Sequence, residues 1–241
     1  MLRAPSSLYF HYMKKNAITL IKIGGSVLTD KTKPRTPLFR KKIARRLVKE
    51  FAEYRKRNLS REQFILVHGA GAFGHPLARQ YRLAECKAAK DPFGIATTRT
   101  QVSRLNLLLA EEFIAEGCPV YPLSPRMFIR TSGGRISSGD TEVLKDMVEK
   151  GTIPLLHGDV TEDDRCGVSI CSGDQMLAYF SERLSVARAI FLSDVDGIFN
   201  KDPKRNPSAR LIPRLTKKEA LLLGREKQRI RSADVTNAMQ G

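Results

Sequence analysis

Tryptophan is absent from this chain of 241 residues, and phenylalanine and tyrosine together bring the aromatic share to only 7%. Nothing therefore suggests bases stacked on aromatic side chains, and no aromatics are interleaved with the basic runs. Four cysteines, Cys86, Cys118, Cys166 and Cys171, are too few for a disulfide scaffold, and none forms a CxxC pair. Reduced thiols are the expectation for a chain of this kind. The four histidines do not join them at metal-ligand spacing. Long apolar runs are missing too: Lys22 interrupts even the run from Ile18 to Ile23, and a membrane span needs roughly 20 uninterrupted residues. Acidic residues are scarce, 25 against 42 basic ones, for a net charge of +17. With 41% hydrophobic residues the chain still has the material for a core.

The positive charge is concentrated at the two ends. Residues 1–61 carry 17 Lys/Arg against 3 Asp/Glu, and residues 201–231 carry 11 against 3, whereas 62–200 are net acidic with 14 against 18. Such ends attract nucleic acid, acidic membranes or phosphorylated small molecules. Part of the charge lies on an expected helix over 40–57, where Ile43, Leu47, Phe51 and Tyr54 recur at helical spacing. A solvated basic face is the plain reading of that helix. Residues 1–16 contain no acid and weakly resemble a transit peptide, and an extension upstream of a start at Met13 is an equal alternative.

Short apolar runs alternate with longer amphipathic ones, which predicts an α/β three-layer sandwich with a mostly parallel open sheet. Strands are expected at 17–23, 64–68, 119–123, 152–157, 167–171 and 189–194, with a hairpin around Ser132-Gly133-Gly134. Helices are expected at 97–116, 140–150 and from Ser172-Gly173-Asp174 to about Leu184; residues 69–74 read as a glycine-rich turn and 201–207 as a loop.

Three strand ends release glycine-rich turns: Lys22-Ile23-Gly24-Gly25-Ser26, His68 to His75, and Ser172-Gly173-Asp174. In an open parallel sheet, ligands bind beyond the carboxyl ends of the strands. Glycine lets backbone N–H groups approach an anion, and a following helix adds its positive end. Several such turns with lysines beside them point to a polyphosphate or a phosphorylated substrate. Gly69-Ala70-Gly71-Ala72-Phe73-Gly74 also fits G-x-G-x-x-G, but it follows the second strand rather than the first, and Glu85 or Asp91 falls too early for the ribose-binding acid. No Walker A sequence is present.

Taken together, Ile21-Lys22-Ile23-Gly24-Gly25-Ser26, Thr29-Asp30-Lys31, His68-Gly69-Ala70-Gly71-Ala72-Phe73-Gly74-His75, Leu156-His157-Gly158-Asp159, Ser172-Gly173-Asp174 and Leu192-Ser193-Asp194-Val195-Asp196-Gly197 resemble the amino acid kinase superfamily. The second turn narrows the resemblance to the isopentenyl phosphate kinases. The resemblance implies transfer of the γ-phosphoryl group of ATP to isopentenyl phosphate, with Mg2+ and a homodimer in the cytoplasm. It gives Lys22 the ATP phosphates, Gly24, Gly25 and Ser26 backbone and hydroxyl donors, and Lys31 the charge on the group in flight. Ala70 and Gly71 would donate N–H groups, His75 would hold the acceptor phosphate, Gly173 would pass close to it, and Asp174 would orient the lysines. Asp194 and Asp196 would close the strand that seats ATP. Thr98, Val102 and Leu105 either line a prenyl pocket or pack the core, while His68 and His157 read as structural strand-end residues.

The resemblance further implies an N-terminal extension over 1–16, an acceptor-binding half over about 17–165 and a nucleotide-binding half over about 166–241. Its pattern fades at Asp234-Val235-Thr236-Asn237-Ala238-Met239, where Asn237 and Ala238 replace two glycines and Gly241 falls on a lysine position. A chain that stops short of the last nucleotide-binding elements is therefore expected. Two other readings remain open: a kinase of another small phosphate or phosphonate, similar to the fosfomycin kinases, and a degenerate nucleotide or nucleic-acid binder.

Overall fold

The computed structural model describes residues 17–30, 37–58, 62–216, 218–220 and 222. Lys31, the extension 1–16 and the departing motif at 234–241 lie outside the described residues. In chain order the elements are β1 (Ala17–Ile23), α1 (Gly25–Leu28), β2 (Thr29–Asp30), β3 (Leu38–Phe39), α2 (Lys41–Asn58), β4 (Glu62–His68), α3 (Gly71–Gln80) and α4 (Pro92–Ala115). There follow β5 (Val120–Pro122), a 3-10 turn at Pro125–Met127, β6 (Ile129–Ser132), β7 (Arg135–Gly139), α5 (Glu142–Glu149), β8 (Ile153–His157), β9 (Asp159–Asp163) and β10 (Gly167–Cys171). The last are α6 (Gly173–Arg183), β11 (Val186–Leu192), β12 (Ile198–Phe199) and β13 (Leu211–Ile212).

The central sheet has five strands in the order β11-β1-β4-β8-β5, and every pair in it is parallel. β1 is buried nearly throughout, as a strand covered on both faces must be. Alternate side chains serve opposite faces. Ile21, Ile23, Phe64, Leu66 and Leu155 pack with Ala44, Val48 and Ala52 of α2 and with Leu109 and Phe113 of α4. Ile18, Leu20, Ile65, Val67 and Leu156 pack with Leu144 of α5 and with Met176, Leu177 and Phe180 of α6. The period of two thus builds three layers from one set of strands, as expected.

At the amino end of the sheet, the buried carboxylate of Glu62 accepts from Arg188 (2.7 Å), Tyr54 (2.5 Å) and Thr19 (3.1 Å), which joins β11, β1 and β4 through one ion pair. A second, four-stranded sheet runs β10-β9-β6-β7. Its two tight turns are stitched by Asp163, whose carboxylate accepts backbone N–H from Gly133, Gly134, Arg165 and Cys166 at 2.8–3.0 Å. Burial alone would raise that carboxyl, but the four donors hold it well below the ordinary carboxylate range.

Contacts divide the chain into two compact units, Met1–Asp194 and Val195–Gly241. In the second, β12 and β13 form an antiparallel pair around the expected loop. Residue 166, where the nucleotide-binding half was drawn, falls in the turn between β9 and β10 of the first unit.

Three expectations need correction. Residues 71–74 do not form a turn but open α3: Gly71 takes φ +52°, a backbone that glycine reaches without strain, and the helix starts there. α4 begins earlier than 97, because Asp91 caps it by accepting from the Phe93 N–H (2.9 Å) and Pro92 fits its first turn. The thiols are not all reduced: Cys86 and Cys166 are joined across 80 residues of sequence, a pairing that only the packing of the α3–α4 connection on the β9–β10 turn creates. Cys118 and Cys171 are free and buried.

Candidate active site

The carboxyl ends of β1, β4, β8 and β10 all release their chain into one small region. Gly24 N–H donates to Leu192 O (2.8 Å), Gly69 N–H to Ile23 O (3.0 Å) and Gly158 N–H to His68 O (2.9 Å), so the four strand ends β11, β1, β4 and β8 are laced in sequence. The first two glycine turns then touch backbone to backbone. A Cβ on Gly25 would lie 2.6 Å from Gly71 Cα, and one on Gly69 would lie 2.8 Å from Gly25 N. Thr29 locks this contact: its hydroxyl donates to Gly25 O (2.7 Å) and accepts from Ala72 N–H (2.9 Å). The sequence offered no signal for Thr29 beyond its place in a motif.

Two helices aim their amino ends here. α6 is capped by Ser172, whose hydroxyl accepts from Gln175 N–H (3.2 Å). A Cβ on Gly158 would stand 3.8 Å from both Ala70 N and Gly173 N, so the starts of α3 and α6 converge on one point. Backbone donors and helix dipoles directed at one point make a place for an anion.

Lys22 is the cation set into this cradle. Its ammonium contacts both carboxylate oxygens of Asp174, at 2.8 and 2.9 Å, with side-chain exposures of 19% and 65% respectively. The pairing answers a lysine inside an apolar strand: the ring of Phe191, 6.0 Å away, covers one side, and Asp174 fixes the direction of the other. His75 stands exposed on α3 at the mouth of the cavity.

The cavity itself measures about 140 Å3, small beside sites for drug-sized ligands. Lys22, Gly25, Gly69, Ala70, His75, Gly173 and Asp174 line it together with Thr98, and Ala78, Val102, Val160 and Ile170 supply apolar wall. Of the three α4 residues left open between pocket and core, Thr98 and Val102 face the cavity, whereas Leu105 is buried and does not line it. Asp159, which the sequence marked only as the end of a motif and gave no role, also lines it; Arg126 donates to it at 2.6 Å and Val160 N–H at 2.8 Å. Burial raises the Asp159 carboxyl, and the Arg126 charge opposes that shift. A larger cavity of about 620 Å3 opens among Ile18, Glu62, Glu142, Lys145, Glu149 and Ser185. It lies at the amino ends of the strands and has none of the glycine turns, so it is not the site an open parallel sheet builds.

His68 and His157 sit behind the cradle, fully buried and paired in register on β4 and β8. His68 contacts Asn106 Oδ1 and Gly69 O, each at 3.1 Å, and His157 Nδ1 lies 3.2 Å from Gly158 O. Burial lowers both to about 4, and for His68 the neighbouring His157 adds to it. Neither lines the cavity. Gly24 and Ser26 flank the first turn, and Asp194 is exposed just past the end of β11. Asp196 belongs to the second compact unit.

Residues 17–240 match the amino acid kinase family profile. The isopentenyl phosphate kinase of Methanothermobacter thermautotrophicus is 38% identical over 200 residues, covering 80% of this chain and 73% of that protein. A solved isopentenyl phosphate kinase superposes with a TM-score of 0.75 at 34% identity, covering 85% of this chain and 83% of that one. The structure of an isopentenyl phosphate kinase substrate complex gives 0.69 at 32%, over 81% and 77%. The chain belongs to the amino acid kinase family and, within it, to the isopentenyl phosphate kinases.

Proposed function

We propose that this chain transfers the γ-phosphoryl group of ATP to isopentenyl phosphate, giving isopentenyl diphosphate and ADP. One observation carries the reading: a single small cavity joins an anion cradle, built by Lys22, His75 and the starts of α3 and α6, to an apolar wall of Ala78, Val102, Val160 and Ile170. An acceptor with a phosphate at one end and a short hydrocarbon at the other fits both ends. A phosphonate without an apolar tail leaves the wall unused. A degenerate binder does not need Lys22 held in bidentate contact with Asp174.

Phosphoryl transfer brings negative charges together, so the protein's part is positioning and neutralisation. Lys22 lies between the reacting phosphates, with Asp174 orienting it rather than taking a proton. Gly24, Gly25, Ser26 and Gly71 present donors to ATP. Ala70 and Gly173 N–H groups and the His75 imidazole hold the acceptor phosphate. Lys31 is assigned to the group in flight, and Asp194 and Asp196 to the nucleotide. The acceptor is taken by the half over about 17–165 and ATP by the half over about 166–241. Among the described residues no group of three or more His, Cys, Asp or Glu could hold a metal ion. We assign Mg2+ to the nucleotide, as MgATP, carried mainly by its phosphates.

A homodimer is the assembly we favour. Leu107 and Ile114, seven residues apart on one face of α4, are exposed beside β5, an edge strand that also exposes Tyr121. A second copy would cover that face. No helix among the described residues is long and apolar enough to cross a membrane, and we place the enzyme in the cytoplasm with its ATP.

The test is ADP release from MgATP with isopentenyl phosphate as acceptor, with Lys22→Met and His75→Ala beside the parent. Acceptor-dependent turnover is expected, with a fall of about 100-fold or more for Lys22→Met, the scale of removing one transition-state donor. His75→Ala is expected to raise KM for the acceptor more than that for ATP. Turnover independent of acceptor, or unchanged in Lys22→Met, would refute the reading.

A further inference from the structure

The disulfide ties the α3–α4 connection to the hairpin that carries two residues of the cavity wall. Cys86 belongs to the connection between α3, which carries His75, and α4, which carries Thr98 and Val102; Cys166 sits in the turn from which β10 runs to Ser172, Gly173 and Asp174. The two joined segments also share a small cluster. Leu83 is fully buried against Val160 and Val168, with Ile95 and Ile170 packed around it. Val160 and Ile170 are also cavity wall. The bond thus joins the two segments whose shared cluster includes wall residues that an acceptor's hydrocarbon would touch.

Other ties show what the bond adds. Lys90 donates to the carbonyls of Arg82, Leu83 and Glu85 at 3.3, 3.3 and 2.6 Å, so the connection holds its own shape. Arg99 of α4 donates to Val160 O (2.9 Å) and to Glu162 (2.8 Å), so the helix stays fastened to β9 without the disulfide. Leu83 and the disulfide hold the connection itself to the hairpin. Opening the bond therefore frees the connection that backs Val160 and Ile170 through Leu83, and leaves the cradle and both helices in place.

We propose that Cys86–Cys166 is a reversible redox modification site that sets how tightly the apolar end of the acceptor pocket closes. The proposal rests on the kinase reading and adds regulation to that same site. Cys86 is exposed while Cys166 is buried, so exchange proceeds through Cys86. In oxidation, the Cys86 thiolate attacks one sulfur of a small disulfide such as glutathione disulfide, and one glutathione leaves. The Cys166 thiolate then attacks the Cys86 sulfur, the mixed disulfide breaks, and the second glutathione leaves. The two cysteines lose two electrons and two protons, and the small disulfide becomes two thiols. A dithiol reductant runs the sequence backwards from the exposed sulfur. Cys171 does not compete, because burial and then the charge of Asp159 push its thiol up to about 12; burial raises Cys118 too.

The experiment compares the full chain equilibrated with glutathione disulfide, the same chain reduced with a dithiol, and Cys86→Ser under both conditions. Cys86 is exposed, so its substitution leaves the core intact. Alkylation in denaturant should add two fewer labels to the oxidised chain than to the reduced one. Reduction should raise KM for isopentenyl phosphate about fivefold or more, the low end of ordinary coupling between sites, with kcat nearly unchanged. Cys86→Ser should show the raised KM and ignore the reductant. Amide hydrogen exchange should speed up over residues 81–91 and around Val160 on reduction. Equal KM and equal exchange in both states would overturn the proposal, as would Cys86→Ser responding to reductant like the parent. Absence of turnover in every sample would defeat the kinase reading instead, and the exchange comparison would still decide whether the bond closes the pocket.

Discussion

At the scale of single residues, the site depends on side chains that are missing. Gly25 is required because the first and second turns approach until no methyl group fits between Gly25 and Gly71, and that contact is what brings the donors of both turns to one anion. Gly25→Ala should destabilise the protein by about 1–3 kcal/mol, the usual cost of forcing extra volume into a packed place, and should lower turnover. Thermal unfolding of Gly25→Ala beside Ser26→Ala checks this: equal midpoints would mean that the turns do not meet as closely as described. Asp174 was readable as a helix-start residue, yet its bidentate grip on Lys22 comes from 152 residues away. Thr29 and Asp159 carried no sequence signal beyond their places in motifs, since what each does depends on partners elsewhere in the chain, such as Ala72 and Arg126.

At the scale of elements, β4 and β8 end in a buried pair of histidines under the cradle, and this sets a pH dependence. Unfolded, each histidine takes a proton near pH 6.5; folded, each stays neutral down to about 4, chiefly because burial disfavours the charge. Between those limits the unfolded state binds more protons, so stability falls as pH drops from about 6.5 to about 4 and levels off below. Replacing His68 with Gln removes one of the two titrating groups. The stability difference between parent and His68→Gln, followed by denaturant unfolding from pH 7 to 4, should shift against the parent as pH falls. A difference that stays constant would show that His68 titrates normally in the folded protein. The same strands illustrate why α3 was hidden: its first residues are glycine and alanine, which read as a turn, and it becomes a helix because Gly71 takes a positive φ while Thr29 receives the Ala72 N–H.

At the scale of the whole molecule, we expect a dimer to use the exposed face of α4 and the edge strand β5. Leu107→Glu combined with Ile114→Glu should convert a dimer into a monomer in sedimentation, with the catalytic cradle untouched because neither residue lines the cavity. An unchanged sedimentation coefficient would place any dimer contact elsewhere. The basic face of α2 is largely solvated and partly neutralised: Arg45 and Lys41 reach Glu112, and Arg46 reaches Glu50. The basic residues of α2 are thus surface, and the lysine proposed for the site is one set within a buried strand.

The amino-acid sequence by itself determined the layer order and where the candidate site falls. Near-continuous apolar strands require cover on both faces, and glycine turns after those strands put the site at their carboxyl ends. These are local properties, since periodicity and backbone permissiveness belong to short segments. Tertiary structure alone decided which turns touch, which carboxylate holds Lys22, which α4 residues face the cavity, and that Cys86 meets Cys166. Each of those depends on a distance between residues far apart in the chain, and no local preference encodes such a distance; it is set only when both faces of the sheet are packed.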